Sequence, residues 1–550
     1  MQKGGGYILP VLRIMSSDLV IDEIDDFTGD DLIAVGRLVH LAGMLGRKVM
    51  ISSATIPPDL AEGYFRAYRE GFAIFSKTRD VRFRIGCAWV DEFKTVVETV
   101  LELDTKGAMN QYGEKHQAFV DARIGELKKE PVKRKAEIIS LDNIKTERES
   151  MGEQTSYEED KTIETLYFDA ILQSIVEKHR KHAFGERETG KNISFGIVRV
   201  ANISPCVCLT KYLLEGEWPE DIDVRVMAYH SRQVLLLRNE QERHLDAVLK
   251  RSKDERKNTT VFENEIIRRH IKRCDRKNLI FIVVATPVEE VGRDHDFDWS
   301  TLEPSSFRSI IQLAGRLLRH RDYVPEYPNM AILQYNLRAL KNNSSVPAFC
   351  RPGYEKSHIK DKNLKLATHD LKKLVDEVSL KKEGVNAIPR IKKPKELDPT
   401  KKLADLEHYA ILNLLNNYEK KGPETIHGWV DDFWWLTGLP QILSAFRKSE
   451  PQVKLYLISE DSHCIFMEKN GKGDLCEVEK AYNIHHTKLG EQILNRLWLK
   501  LDYQMFIERI ADQFDISEYS AALKYGEIMI PDREDFKEFL YSDYLGMWKE

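Results

Sequence analysis

Long apolar runs are missing from this 550-residue chain, and none approaches the roughly 18 residues that a membrane-spanning helix needs. The short apolar stretch Tyr7 to Leu12 is followed by Arg13 and by no small-residue cleavage site, so it does not read as a signal peptide. Cysteine is scarce: seven residues, scattered and odd in number, argue for a reducing compartment and against a disulfide framework. Cys206 and Cys208 form the only close pair, and without His or Cys at zinc spacing they read as small apolar residues. An excess of one charge is lacking too. With 83 Lys and Arg against 88 Asp and Glu the net charge is −5, so any nucleic-acid surface must be a local channel. No stretch reads G-x-x-x-x-G-K-[ST], the loop whose amides and lysine cradle a triphosphate. Without that loop an acidic motif has no triphosphate to act on.

What is present centres on Leu279 to Arg321. An apolar run of strand composition turns at Thr286-Pro287, passes an acidic loop containing Gly292 and Asp294, and enters a basic segment. The spacing of Gln312, Gly315, Arg316 and Arg319 predicts one helical face carrying two arginines, whose planar forks suit phosphate. Upstream, Asp18 to Asp26 predicts a buried strand, Leu19 to Ile21, that delivers Asp22 and Glu23 at its C-terminal end. Two carboxylates there can divide labour, one holding Mg²⁺ and one orienting a water. Val49 to Thr55 predicts a second strand that ends in Ser53, Ala54 and Thr55.

In chain order, a helix is expected over Leu60 to Phe75, and a strand over Val81 to Trp89 is expected to complete a first lobe. From Lys106 to Lys191 mixed charge predicts an insertion with a helix at Glu164 to His182. His179 and His182 there lack a completing carboxylate and read as a solvated helix end. Strands at Ile193 to Val200, Val224 to Ala228 and Met330 to Tyr335 alternate with helices at Cys206 to Leu214 and Val234 to Arg251, which predicts a parallel sheet with helices on both faces. Asn202, Ser231, Arg232 and Thr286 fall at strand ends and are candidates for phosphate contacts to a single strand threaded across the sheet ends. Pro389, Pro394 and Pro399 mark a basic linker. His369-Asp370 has no further ligands at plausible positions and is not read as a metal nuclease. A mainly helical C-terminal domain follows, with two strand candidates at Val453 to Ile458 and His463 to Met467 and tryptophans expected in the core. The divisions are 1–100, 101–190, 191–345, 346–402 and 403–550.

The strings SSATIPPDLAEGYFRAYREGF, VATPVEEVGRDHDFDW and QLAGRLLRHR resemble the C-terminal half of the type I-F CRISPR-associated helicase-nuclease, a superfamily 2 DExD/H helicase with an HD nuclease. The resemblance implies an α/β fold of RecA-like parallel sheets, with a partial first lobe at 1–100, a connector, a complete second lobe at 191–345, a linker and the C-terminal domain. It implies ATP and Mg²⁺ as cofactors, 3′ to 5′ translocation on single-stranded DNA, and antiviral defence in the cytoplasm. Asp22 would associate with Mg²⁺ and Glu23 would orient water. Ser53 and Thr55 would couple the lobes, and Thr286 would touch the DNA backbone. Gly292, Asp294 and Gln312 would meet ATP, and Arg316 and Arg319 would act at the transferred phosphate, Arg319 as the arginine finger. Pro287 removes an amide next to Thr286 and alters that grip. Implied partners are single-stranded DNA, the RNA-guided surveillance complex, the N-terminal portion with nuclease and Walker A, and phage anti-CRISPR proteins, with no membrane. The chain itself is expected to be inactive alone, or to serve as a docking fragment.

Overall fold

The computed structural model describes residues 8–100, 104–152, 156–251, 260–290, 292–342, 346–356, 361–444, 446, 451–460, 463–532 and 538–549. Two parallel sheets of unequal size organise it. The smaller pairs β1 (Leu19–Ile21) with β2 (Val49–Ile51), in a register that sets every residue of β1 beside the residue thirty positions later. Helices α1 (Asp30–Met44) and α2 (Pro58–Arg79) cover one face of it. They cross very closely: a Cβ on Gly71 would lie 2.1 Å from the His40 carbonyl oxygen, and one on Gly43 2.4 Å from that of Tyr68. Only glycines allow that approach. The strand expected at Val81 to Trp89 forms instead as Ile85–Val90, paired antiparallel with Thr95–Val100 in a separate hairpin. It does not extend the first sheet, because its partner follows within one turn.

The larger sheet holds β3 (Ala136–Ile139), β4 (Asn192–Arg199), β5 (Ile222–Tyr229), β6 (Asn278–Ala285), β7 (Trp299–Leu302) and β8 (Met330–Leu333). All six run parallel in the order β3-β8-β7-β4-β6-β5, and the short strand Phe184–Gly185 pairs antiparallel with β4. The architecture is α/β and RecA-like. The charged stretch read as a helical connector thus also supplies an edge strand. Along β6, Leu279, Phe281 and Val283 face one core and Ile280, Ile282 and Val284 the other, so burial on both faces explains its unbroken apolar run. Helices α3 (Tyr157–His182) and α4 (Ile203–Glu215) pack on the second face. Helices α5 (Leu235–Leu249), α6 (Glu265–Arg273) and α7 (Phe307–Ala314) pack on the first.

Buried charge is concentrated around this sheet. Arg321, 1 % exposed, bonds Asp296 and Asp298 at 2.7 and 2.6 Å, and Arg251 reaches Asp298 at 2.8 Å. His179 and His182 are buried rather than solvated: His179 bonds Ser194 at 2.8 Å, and His182 bonds the Pro328 carbonyl at 3.0 Å. Packing of α3 across the strand starts draws that helix end inward, and burial lowers both imidazoles to about 4.

The linker and the C-terminal region pack back on both sheets. α8 (Ile388–Ile391), α9 (Leu403–Leu415) and α10 (Ile426–Asp431) follow one another, and the last two cover α1 and α2. Trp429 is core, its indole N–H donating to His40 at 3.2 Å, and Arg66 binds Asp431 at 2.9 Å. Phe433, by contrast, is exposed. The region is mainly helical only to Leu443. Beyond it, Gln452–Glu460, His463–Lys469, Leu475–Glu477 and Glu527–Pro531 form an antiparallel sheet, and Ile484–His486, Phe539–Ser542 and Gly546–Lys549 form a mixed one, its first pair parallel and its second antiparallel. Short alternating segments closed by tight turns give that result. No described helix is long and apolar enough to cross a membrane.

Candidate nucleotide cleft and strand-end edge

The cleft is made where the ends of β1 and β2 meet α7, Glu290 and the residues 292–294. The thirty-residue register of β1 and β2 continues past the strands. Ser52 donates to Asp22 and Thr55 to Asp25, so two acid–hydroxyl pairs stand side by side. Asp22 is exposed, and both its hydrogen bonds use Oδ1, the second from the Glu23 N–H at 3.0 Å. Glu23 is exposed and in the left-handed backbone region at φ 51°. Of the two hydroxyls expected to couple the lobes, Thr55 reaches an acid, whereas Ser53 Oγ is buried and without a partner among the described residues.

Across the cleft, Gln312 Nε2 donates to Asp26 at 3.4 Å, and the Arg308 guanidinium donates to the Asp25 carbonyl. Burial, with Glu23 and Asp25 adding and Arg308 opposing, pushes the Asp26 carboxyl up to about 6. Gln312 Oε1 and Arg316 Nε are buried with no partner among the described residues, leaving one acceptor and one donor for a ligand.

The expected shared arginine face does not form. α7 ends at Ala314, Leu317 bridges to Phe297, and Leu318 turns left-handed at φ 46°. Continued apolar periodicity at Leu313, Leu317 and Leu318 mimics a helix, but backbone pairing with Phe297 takes those residues out of it. Arg316 is turned inward, bonding the carbonyls of Arg293 and Glu290. Burial and then Arg319 lower its pKa, with Glu289, Glu23 and Asp294 opposing. Arg319 stays exposed and binds Asp294 at 2.7 Å. Against burial that would raise it, His320 and Arg319 hold the Asp294 carboxyl below its ordinary range. Gly292 is exposed, at φ 62°. Asp26 and Glu23 therefore face Gln312 and Arg316, with Asp22 next to Glu23 in the chain, while Arg319 and Asp294 pair with each other at the rim.

The remaining candidates lie on the adjoining edge. Arg199, Ala285 and Tyr229 are aligned across β4, β6 and β5, so Asn202, Thr286 and Ser231 follow three neighbouring strand ends. Asn202 and Ser231 are exposed, and the Asn202 side chain makes no cap bond to α4. Thr286 is buried, its N–H donating to the Tyr229 carbonyl at 3.2 Å. The Arg232 carbonyl accepts the Met547 N–H at 2.8 Å, so the C-terminal hairpin rests against that turn.

Comparison with known proteins adds the family. The model of the CRISPR-associated nuclease/helicase Cas3, C-terminal, matches residues 192–322. The chain is 34% identical over 557 residues to the subtype I-F/YPEST Cas3 nuclease/helicase of Pseudomonas aeruginosa, covering 100% of this chain and 48% of that protein. For the Pectobacterium atrosepticum protein of the same description the identity is 33%, over 97% of this chain and 47% of that one. This chain is a relative of subtype I-F Cas3. It spans about half the length of these relatives. A crystal structure of T. fusca Cas3-AMPPNP aligns at 13% identity and TM-score 0.46, over 97% of this chain and 54% of that one. At that level the strand order above, rather than the alignment, carries the fold.

Against the Cas3 resemblance, residues overlooked in the sequence are as telling as those singled out. Asp25, Ser52, Arg308, Arg390 and Glu407 all line the meeting of the lobes. The offset of thirty between Asp22-Asp25 and Ser52-Thr55 was a readable signal for the first two, and nothing in a basic Pro-containing linker marks Arg390. The stretch Gly185 to Lys191 has the glycine and lysine spacing of a phosphate loop but ends in Asn192. It forms a hairpin whose Glu188 and Thr189 amides are taken by the Glu186 carboxylate.

Proposed function

We propose that this chain supplies the acidic loop, the coupling hydroxyls and the second lobe of an ATP-driven 3′ to 5′ translocase on single-stranded DNA, acting in CRISPR interference with the RNA-guided surveillance complex. The observation that carries the reading is that Gln312 and Arg316 meet Asp26 and Glu23 of the acidic loop that Asp22 opens, with Gln312 Oε1 and Arg316 Nε left without a partner among the described residues. Arginine and glutamine facing paired carboxylates suit a nucleotide with a divalent cation. Among the described residues no cluster of three His, Cys, Asp or Glu could hold a metal. Asp22 would thus hold Mg²⁺ together with nucleotide oxygens, and that ion would neutralise phosphate charge. Glu23 would orient water, Arg316 and Arg319 would offset charge on the phosphoryl group, and Asn202, Ser231, Arg232 and Thr286 would grip the strand. The chain alone would not turn over ATP, since no G-x-x-x-x-G-K-[ST] loop occurs in its sequence.

A second reading, a docking fragment, is favoured by one surface. Phe433, Leu436, Ile442 and Phe446 are 56, 70, 73 and 47 % exposed along one short segment. Ultraviolet cross-linking to bromodeoxyuridine-substituted single strands separates the two readings. The translocase predicts labelled peptides at 201–204, 230–232 and 285–288. Absence of any labelled peptide from that edge would leave docking.

A further inference from the structure

The segment expected to be a mere linker places one side chain at the meeting of the lobes. Arg390, on α8, is 2 % exposed. One of its terminal nitrogens donates to Asp25 Oδ1 at 2.9 Å and the other to Glu407 Oε2 at 2.5 Å. The second oxygen of Glu407 accepts the N–H groups of Phe307 and Arg308 at 2.6 and 3.1 Å, so it caps the N-terminus of α7. Asp25 uses its own second oxygen to accept from Thr55, and its carbonyl accepts from Arg308. One guanidinium therefore joins the end of β1, the coupling hydroxyl on the β2 loop, and the helix that carries Gln312.

We propose that Arg390 is a positioning residue that sets the acidic loop and α7 in mutual register, so that Glu23 faces Arg316; this rests on the nucleotide reading of the cleft. Three properties support it. Arginine alone offers two planar donor pairs that can serve two carboxylates at once, which a lysine cannot reproduce. Both carboxylates are buried, Asp25 at 4 % and Glu407 at 2 % exposure, so separation of the lobes at this point would strand charge away from water. The contacts also leave Asp22, Glu23 and Gln312 Oε1 untouched, so the residue acts through others and not on the ligand.

The test uses the whole chain in two assays. In the first, ATP hydrolysis stimulated by single-stranded DNA is measured with the chain mixed with the N-terminal half of the P. aeruginosa relative. Variants are Arg390→Lys, Arg390→Met and the charge-balanced Arg390→Met/Glu407→Gln, each checked for a cooperative unfolding transition. The expected result for the folded double variant is a kcat at least tenfold lower with KM for ATP within twofold, and for Arg390→Lys a partial recovery. A folded double variant with the parent kcat, or a loss confined to KM, would overturn the proposal. In the second assay, amide hydrogen exchange of the chain alone should rise together at 22–27 and 307–308 in Arg390→Met, with β6 unchanged; a rise at neither or only one would overturn it. If the parent mixture shows no hydrolysis, the nucleotide reading fails, while exchange still decides the coupling.

Discussion

The two parallel sheets carry strands of similar composition in opposite circumstances. β6 is buried on both faces along nearly its whole length, whereas the central residues of β1 and β2, Val20 and Met50, are 63 and 59 % exposed. A parallel strand reads as a continuous apolar run because helices are meant to cover it twice. In the large sheet they do. In the small one α1 and α2 cover one face, α9 and α10 then cover those helices, and the other face of the strand pair is left open. The C-terminal segments thus stabilise the first lobe's helices without completing its sheet. The smaller sheet still holds the acidic loop where α7 can reach it, so the geometry of the cleft depends on packing from the linker as much as on the strands.

Acid should break the comparison most strongly. His179, His182, His230, His244 and His270 around the large sheet are each lowered to about 4 by burial, against three around the smaller lobe: His40 on α1, His427 on α10 and His116 beside the hairpin. A depressed His pKa favours the neutral form in the native state, so the stability is present above the unfolded value near 6.5 and is lost as pH falls from there toward 4. Each such group contributes a loss of about 1.4 kcal/mol per pH unit in that window. Asp26, raised to about 6, works in the opposite sense between 3.8 and 6. Urea midpoints at pH 7 and pH 5 should therefore fall steeply for amides of β4 and β6 and less for α1 and α2; equal falls would refute this.

Next in size is Arg321→Met, which leaves Asp296 buried without its guanidinium partner and Asp298 with Arg251 alone. A loss of about 3–5 kcal/mol is expected in chemical denaturation. Gly71→Ala should act on the other lobe, costing about 1–3 kcal/mol by forcing α1 and α2 apart, with faster exchange in those helices and none in β6. Smallest is the pair Val20→Lys and Met50→Lys. Both face solvent, so a shift within about 0.5 kcal/mol is expected, where Val283→Lys on β6 should abolish folding.

Much of this was legible in the residues. The strands of the large sheet announce themselves as apolar runs ending at Arg199, Tyr229 and Ala285, and the acid loop after Ile21 falls where open sheets place their ligands. The end of α7 was not legible, since Leu313 and Leu317 keep helical spacing while a backbone bridge to Phe297 decides the outcome. β3 was hidden by its length and its charged surroundings. Arg390 was hidden because its two carboxylate partners lie 365 and 17 residues away, and local pattern carries no trace of such contacts.

The most direct test of the central claim is ATP hydrolysis stimulated by single-stranded DNA, measured for the chain alone and after addition of the N-terminal half of the P. aeruginosa relative, each with and without Arg319→Ala. The account predicts no turnover alone, turnover in the mixture, and a loss on the order of a thousandfold from the substitution. Turnover by the chain alone, or a mixture indifferent to Arg319, would contradict it.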